Sequence, residues 1–177
     1  MSAWTMAAVL AAYCICLATE VSANPDLTTS WSDRVIPLPK QMSVEGAVTV
    51  GPDRIALRLQ CPGAPEVETA MGLLGRFARA GDRDASYTIA ISLSSSAGVP
   101  SDVRKRLEQL PNADQAYAIL PNAQSGLTII GNTPLGVLYA ARTLSQLLTG
   151  PDGEPALPLQ IPLVRVTDWP DVAERGQ

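Results

Sequence analysis

The 177-residue chain contains no histidine. Its absence removes the commonest catalytic base and the commonest zinc ligand together. Aromatic residues make up only 5%, too few to favour a module that binds sugar on exposed ring platforms. Lysine and arginine number 13 against 17 acidic residues, a net charge of −4. A mildly acidic chain without a basic patch is not built to hold nucleic acid. The sequence also lacks His-Glu-x-x-His, Cys-x-x-Cys, a nucleophile elbow and a lysine-bearing phosphate loop, so no metal site and no cofactor is expected. Of the three cysteines, Cys14 and Cys16 fall in the apolar leader described next and Cys61 stands alone beside Pro62. One thiol closes no internal disulfide, and without histidine nothing activates it as a nucleophile. The domain must therefore rest on its own hydrophobic core, for which its length suffices.

What is present begins with a leader over residues 1–23. Residues 7–18 are apolar and too short to span a bilayer as a stable helix. Val21-Ser22-Ala23 then places small residues where a signal peptidase reads, predicting cleavage before Asn24 and a secreted or periplasmic product. No lysine or arginine precedes the apolar run, so the terminal amine is its only positive charge. Once the leader is removed, the length fits one domain.

Within that domain, residues 24–33 are polar and read as loose, followed by the extended, proline-punctuated entry Ile36-Pro37-Leu38-Pro39-Lys40. Alternation predicts strands over 44–50, 55–59 and 87–93, the first two separated by Gly51-Pro52-Asp53. A helix is expected over 66–80, with Val67, Ala70, Leu74 and Phe77 on its buried face. Gly72 and Gly75 weaken it by about 1 kcal/mol each and would allow close packing on a sheet. A second helix is expected over 101–110, capped by Ser101. Its Arg104-Lys105-Arg106 run reads as a solvated face, since Asp102 and Glu108 share the segment. A hairpin over 116–120 and 127–130 follows. A last extended segment, 159–167, carries Pro162, which suggests an edge position or two short pieces. Helices interleaved with strands and at least one hairpin predict an α/β (α+β) fold with a mixed sheet.

The most regular stretch spans residues 127–148. Its strand ends at Gly131-Asn132, Thr133 is placed to cap a helix, and Pro134 takes the first helical position. Val137, Leu138, Ala141, Leu144 and Leu148 form the apolar stripe, and Gly150-Pro151 terminates it. This stretch resembles the segment closing the small α/β domain that precedes the catalytic barrel in family-20 glycoside hydrolases, the β-N-acetylhexosaminidases. The similarity rests on Gly131-Asn132-Thr133-Pro134-Leu135-Gly136, Tyr139 and Gln146-Leu147-Leu148, with a second match at Asp168-Trp169-Pro170 and Arg175-Gly176.

The resemblance implies a leading domain over 24–167 and a junction over 168–177 that leads into a (β/α)8 barrel absent from this sequence. In that family the catalytic aspartate and glutamate lie inside the barrel. The glutamate protonates the leaving oxygen, while the substrate's acetamido group attacks under the aspartate's guidance. No catalytic residue is therefore expected in this chain. Asp168, Asp171 and Glu174 read as linker surface rather than an acid pair. The implied partners are the domain's own barrel and, through it, an N-acetylhexosamine-containing glycan. The one site residue carried over is Arg175, seven residues after Asp168, whose counterpart reaches sugar hydroxyls; a guanidinium's paired donors suit adjacent hydroxyls. Asp171 and Glu174 stand where the family often has basic, aromatic or small residues, and Gln177 where it continues with apolar ones. A free-standing carbohydrate-binding or interaction module, and a leading domain of family-84 or α-glucuronidase type, remain the alternatives.

Overall fold

A computed structural model describes residues 30–79, 84–122, 125–149, 153 and 158–171. Six strands form one sheet: β1 (Gln41–Val50), β2 (Ile55–Leu59), β3 (Tyr87–Leu93), β4 (Tyr117–Asn122), β5 (Gly126–Gly131) and β6 (Leu159–Asp168). Their spatial order is β1-β6-β4-β5-β3-β2. The β2–β3 and β3–β5 pairs are parallel, while β4–β5, β4–β6 and β1–β6 are antiparallel. This is the mixed sheet expected from the sequence. The helices are α1 (Pro65–Gly75), α2 (Ser101–Gln109) and α3 (Pro134–Leu148).

Strict alternation along β3 and β5 divides the sheet into two faces. Ile89, Ile91, Leu127 and Ile129 point to one side, where Val67, Ala70 and Leu74 of α1 and Val137, Ala140, Ala141 and Leu144 of α3 cover them. Ala118 and Ile130 point to the other, where Leu107 of α2 and Trp169 pack. The result is three layers with a large core beneath α1 and α3 and a small one beneath α2.

Several expectations change on contact with the structure. Helix α1 stops at Gly75, yet Phe77 beyond its end is fully buried. Gly72 and Gly75 are exposed, and a Cβ on either would meet nothing within 4 Å, so neither serves close packing. In α2, Pro100 occupies the cap position and Ser101 makes no capping bond, because the chain enters the helix one residue earlier. Arg104 is half-buried, its Nε and Nη2 donating to the carbonyls of Ser94 and Ser96 at 2.7 and 3.3 Å; it ties down the β3–α2 connection. Residues 30–33 are not loose, for Trp31 is buried in the main core with Arg34 stacked 4.1 Å above its ring. Leu138 is only half-buried, because the stripe of α3 turns toward Ala140, Leu144 and Leu147. The terminator Gly150-Pro151 and the leader lie outside the described residues.

Pro162 sits in one continuous strand, flanked by β1 and β4. The ladder between β4 and β6 runs only from Tyr117↔Asp168 to Ile119↔Val166. Beyond it lie Pro121 on β4 and Pro162 on β6, neither with an N–H to donate. Proline is tolerated here because the two strands have already parted. Opposite Pro162, β1 carries a bulge between Val44 and Ala47, and the inward-facing set of β6 shifts from Leu159 and Ile161 to Val164 and Val166.

Candidate functional site

The turn between β5 and α3 is where the sequence pattern is densest, and it holds three parts of the fold together. The Asn132 N–H donates to the Ala116 carbonyl at 2.9 Å, and the Ser94 N–H donates to the Gly131 carbonyl at 2.8 Å. Thr133 caps α3 as expected, its Oγ1 accepting from the Leu135 N–H at 3.2 Å, while the same hydroxyl donates to the Asp114 carbonyl. Ser94 Oγ donates to Asn132 Oδ1 at 2.7 Å. A Cβ on Gly131 would lie 2.3 Å from the Val137 nitrogen, and one on Gly136 would lie 2.4 Å from the Ala116 oxygen. Only glycine permits this approach. The Gly-x-x-x-x-Gly pattern is thus a packing device, with no phosphate cradle in it.

The junction forms at the end of β6. Asp168 is buried, 5% exposed, and its Oδ1 accepts from the Lys40 N–H at 3.1 Å. Lys40 Nζ in turn meets Asp171 at 2.6 Å. Asn112 Nδ2 donates to the Pro170 carbonyl at 2.8 Å, so the Asp168-Trp169-Pro170 run is fixed from both sides. The linker-surface reading therefore holds for Asp171, which is exposed, and fails for Asp168. This buried carboxylate anchors the backbone at the start of β1. Arg175 and Glu174 lie outside the described residues.

Asp168 also borders a groove of about 850 Å³ between the entry segment and α3. Ile36 and Pro37 form one wall, and Leu135, Leu138, Tyr139 and Arg142 the other. Its deep end is closed by Tyr117, whose hydroxyl shares a 2.6 Å hydrogen bond with Thr143 Oγ1. Gln146 fixes the width, its Oε1 accepting from the Ile36 N–H at 3.1 Å and its Nε2 donating to the Ile36 carbonyl at 3.0 Å. A sequence reading that follows the apolar stripe misses this clamp; the signal was a lone glutamine ahead of Leu147-Leu148 in the last turn of α3.

Three further groups, Cys61, Tyr87 and Arg76, lie away from this groove. Cys61 is half-buried just after β2, and burial pushes its thiol above the ordinary value. Tyr87 is buried, its hydroxyl finds no partner among the described residues, and desolvation raises its pKa. Arg76 stacks on Phe77 at 4.6 Å and donates to Thr149 Oγ1 at 2.7 Å, closing the end of α3. Among the described residues no carboxylates or thiols gather into a metal-binding group.

The comparisons with known proteins fit this arrangement. The chain's fold is similar to that of the β-N-acetylhexosaminidase from Bacteroides fragilis NCTC 9343 (TM-score 0.52, 17% identity), covering 78% of this chain and 25% of that one. It is similar to the family-20 β-N-acetylhexosaminidase from Streptomyces coelicolor A3(2) (TM-score 0.53, 20% identity), covering 86% and 28%. A third solved structure, CpGH84D, is similar at TM-score 0.57 and 14% identity, covering 80% and 24%. The chain thus spans about a quarter of the length of these proteins. No curated protein sequence matches it. The model for glycosyl hydrolase family 20, domain 2, matches residues 32–169, from the buried entry turn through β6 to Trp169, and the chain belongs to that family.

Proposed function

We propose that this chain is the accessory leading domain of a β-N-acetylhexosaminidase-type glycoside hydrolase, a non-catalytic body that stabilises a (β/α)8 barrel. The observation that carries the reading is the family match across residues 32–169, which takes in every strand of the sheet. In this reading the chain supplies no acid pair, and the hold of Asp168 on the Lys40 N–H supports a structural role for that carboxylate. Chemistry on an N-acetylhexosamine-containing glycan would belong to the barrel's own carboxylates. A free-standing sugar-binding module finds little support, because Trp31 is buried and Trp169 packs beside α2.

Two finer parts belong to the same reading. Residues 1–23 act as an export signal, which fits a glycan-degrading enzyme working outside the cytoplasm. No helix among the described residues is long and apolar enough to cross a membrane. Arg175, four residues after the Lys40–Asp171 pair, reaches substrate hydroxyls from the barrel's edge. The test has two arms. The purified chain should hydrolyse no aryl N-acetylglucosaminide above buffer, whereas its native complex or full-length product should. Turnover by the chain alone, or a native preparation with no hexosaminidase activity, overturns the proposal.

A further inference from the structure

The parting of β4 and β6 opens a second hollow in the molecule. The two strands are laddered only as far as Ile119↔Val166, and a cleft of about 530 Å³ follows, with β1 and β6 on one side and the ends of β3, β4 and β5 on the other. Its walls differ in kind. Val48, Leu163 and Pro121 line it with apolar surface. Glu45 and Arg165 bring a carboxylate and a guanidinium to it, joined Nε to Oε1 at 2.7 Å. Arg165 is exposed, which places this pair at the mouth.

Tyr87 lines the same cleft from within. It is 3% exposed, and its hydroxyl is buried with no hydrogen-bond partner among the described residues. Folded proteins seldom leave such a group unpaired, and one beside a cavity calls for a molecule in that cavity.

The lining narrows what that molecule is. A peptide strand slotted between β4 and β6 would need donors from both walls, yet Pro121 and Pro162 each lack an N–H. The one guanidinium and one carboxylate cancel, so the cleft suits a neutral ligand. Its volume is that of a small-molecule site. A guanidinium beside a carboxylate offers donors and acceptors together, which neighbouring hydroxyls of a pyranose can use at once. The apolar wall then asks for a non-polar substituent on the same ring.

We infer that this cleft binds one N-acetylhexosamine ring of a glycan chain. Its hydroxyls face Glu45 and Arg165, its acetamido methyl packs on Val48 and Leu163, and one of its oxygens accepts from the Tyr87 hydroxyl. The inference rests on the glycan-processing reading above and adds a sugar-holding site made of this chain's own residues. A polymer gripped here stays at high local concentration between one bond cleavage and the next.

Titration of the purified full chain with methyl β-N-acetylglucosaminide, followed in amide correlation spectra, tests it. Saturable shifts at Val48, Ser86 and Gly126 are expected, with a Kd on the order of millimolar, ordinary for a single sugar ring. Arg165→Ala should weaken binding about tenfold, the loss of a charge-assisted hydrogen bond. Tyr87→Phe should weaken it severalfold without lowering the melting temperature. Methyl β-glucoside, which lacks the acetamido group, should bind severalfold more weakly. No saturable shift, shifts confined to other residues, or unchanged affinity in both variants would overturn the site. Equal affinity for the two sugars would overturn the acetamido assignment. Hexosaminidase activity of the native full-length product is measured in parallel. Activity without binding at the cleft overturns this inference alone; binding without activity overturns the accessory-domain reading and leaves the cleft a sugar site.

Discussion

Gly136 and Gly72 are both helical glycines, and the structure predicts opposite outcomes when each becomes alanine. On helix propensity alone, each substitution gains about 1 kcal/mol. At Gly72 nothing lies within 4 Å of the new Cβ and the residue is exposed, so the full gain should appear. At Gly136 the new carbon would stand 2.4 Å from the Ala116 oxygen, when ordinary contact begins at 3.4 Å. Helix α3 must therefore back away from the sheet by about 1 Å. Overpacking of that kind costs about 1–3 kcal/mol. The same oxygen accepts the Asn132 N–H, and disturbing that bond costs about 0.5–1.5 kcal/mol more. After the propensity gain is subtracted, Gly136→Ala should lose about 1–3 kcal/mol. In a domain of this size about 1 kcal/mol moves Tm by 2–4 °C. Thermal and urea unfolding followed by circular dichroism should show Gly136→Ala melting several degrees lower and Gly72→Ala a few degrees higher. Equal, stabilising shifts in both variants would refute the close approach of α3 to the start of β4.

Leu144 is fully buried in the main core, so Leu144→Ala should cost about 2–5 kcal/mol, and half-buried Leu138→Ala distinctly less; equal midpoint shifts would count against the orientation of α3. Tyr87→Phe should stabilise by about 1–3 kcal/mol by removing an unpartnered buried hydroxyl. Because the folded pKa of Tyr87 is raised, its stabilisation is complete below the unfolded value near 10.0 and is lost as pH rises above it; the variant's alkaline unfolding limb should be flatter. Intact-mass analysis of exported protein should show a chain starting at Asn24, and a membrane-bound product retaining Met1 would refute the leader. In an enzyme that carries the barrel, Arg175→Ala should lower kcat/KM at least tenfold with folding unchanged, since a charge-assisted hydrogen bond contributes about 1.5–3 kcal/mol; wild-type kinetics would make it a surface residue.

What could be read in advance followed the range of the interaction. Strand β3 was legible to the residue, Tyr87–Leu93, because its period-two pattern and flanking turns are local. The start of α3 was equally plain, since Thr133 and Pro134 act on their own neighbours. Asp168 was misread because its partner, the Lys40 N–H, lies 128 residues away, and a backbone donor leaves no mark on composition. Arg104 was taken for solvated for a similar reason, its acceptors being loop carbonyls rather than acids. Leu138 matched the helical period, but period alone does not set the width of a buried stripe. Pro162 looked like an edge residue, and locally it behaves as one, although no sequence pattern shows where β4 and β6 part. The pattern around Gly131 and Gly136 was visible, but not why it is needed: the close approach to Ala116 exists only once the hairpin has formed.

Among the described residues, strand β1 pairs with β6 and with no other strand, so the earliest of these strands in the chain finds its neighbour at the far end of the domain. On the ribosome, Gln41–Val50 must wait until Leu159–Asp168 has emerged, a delay on the order of ten seconds at ordinary elongation rates. During that interval it is an unpaired strand carrying Met42, Val44, Val48 and Val50. Holding the chain unfolded until synthesis is complete would remove the hazard, and that is the condition in which a chain destined for export is handed to its translocation machinery. If the leader does its work, the sheet first closes on the far side of the membrane.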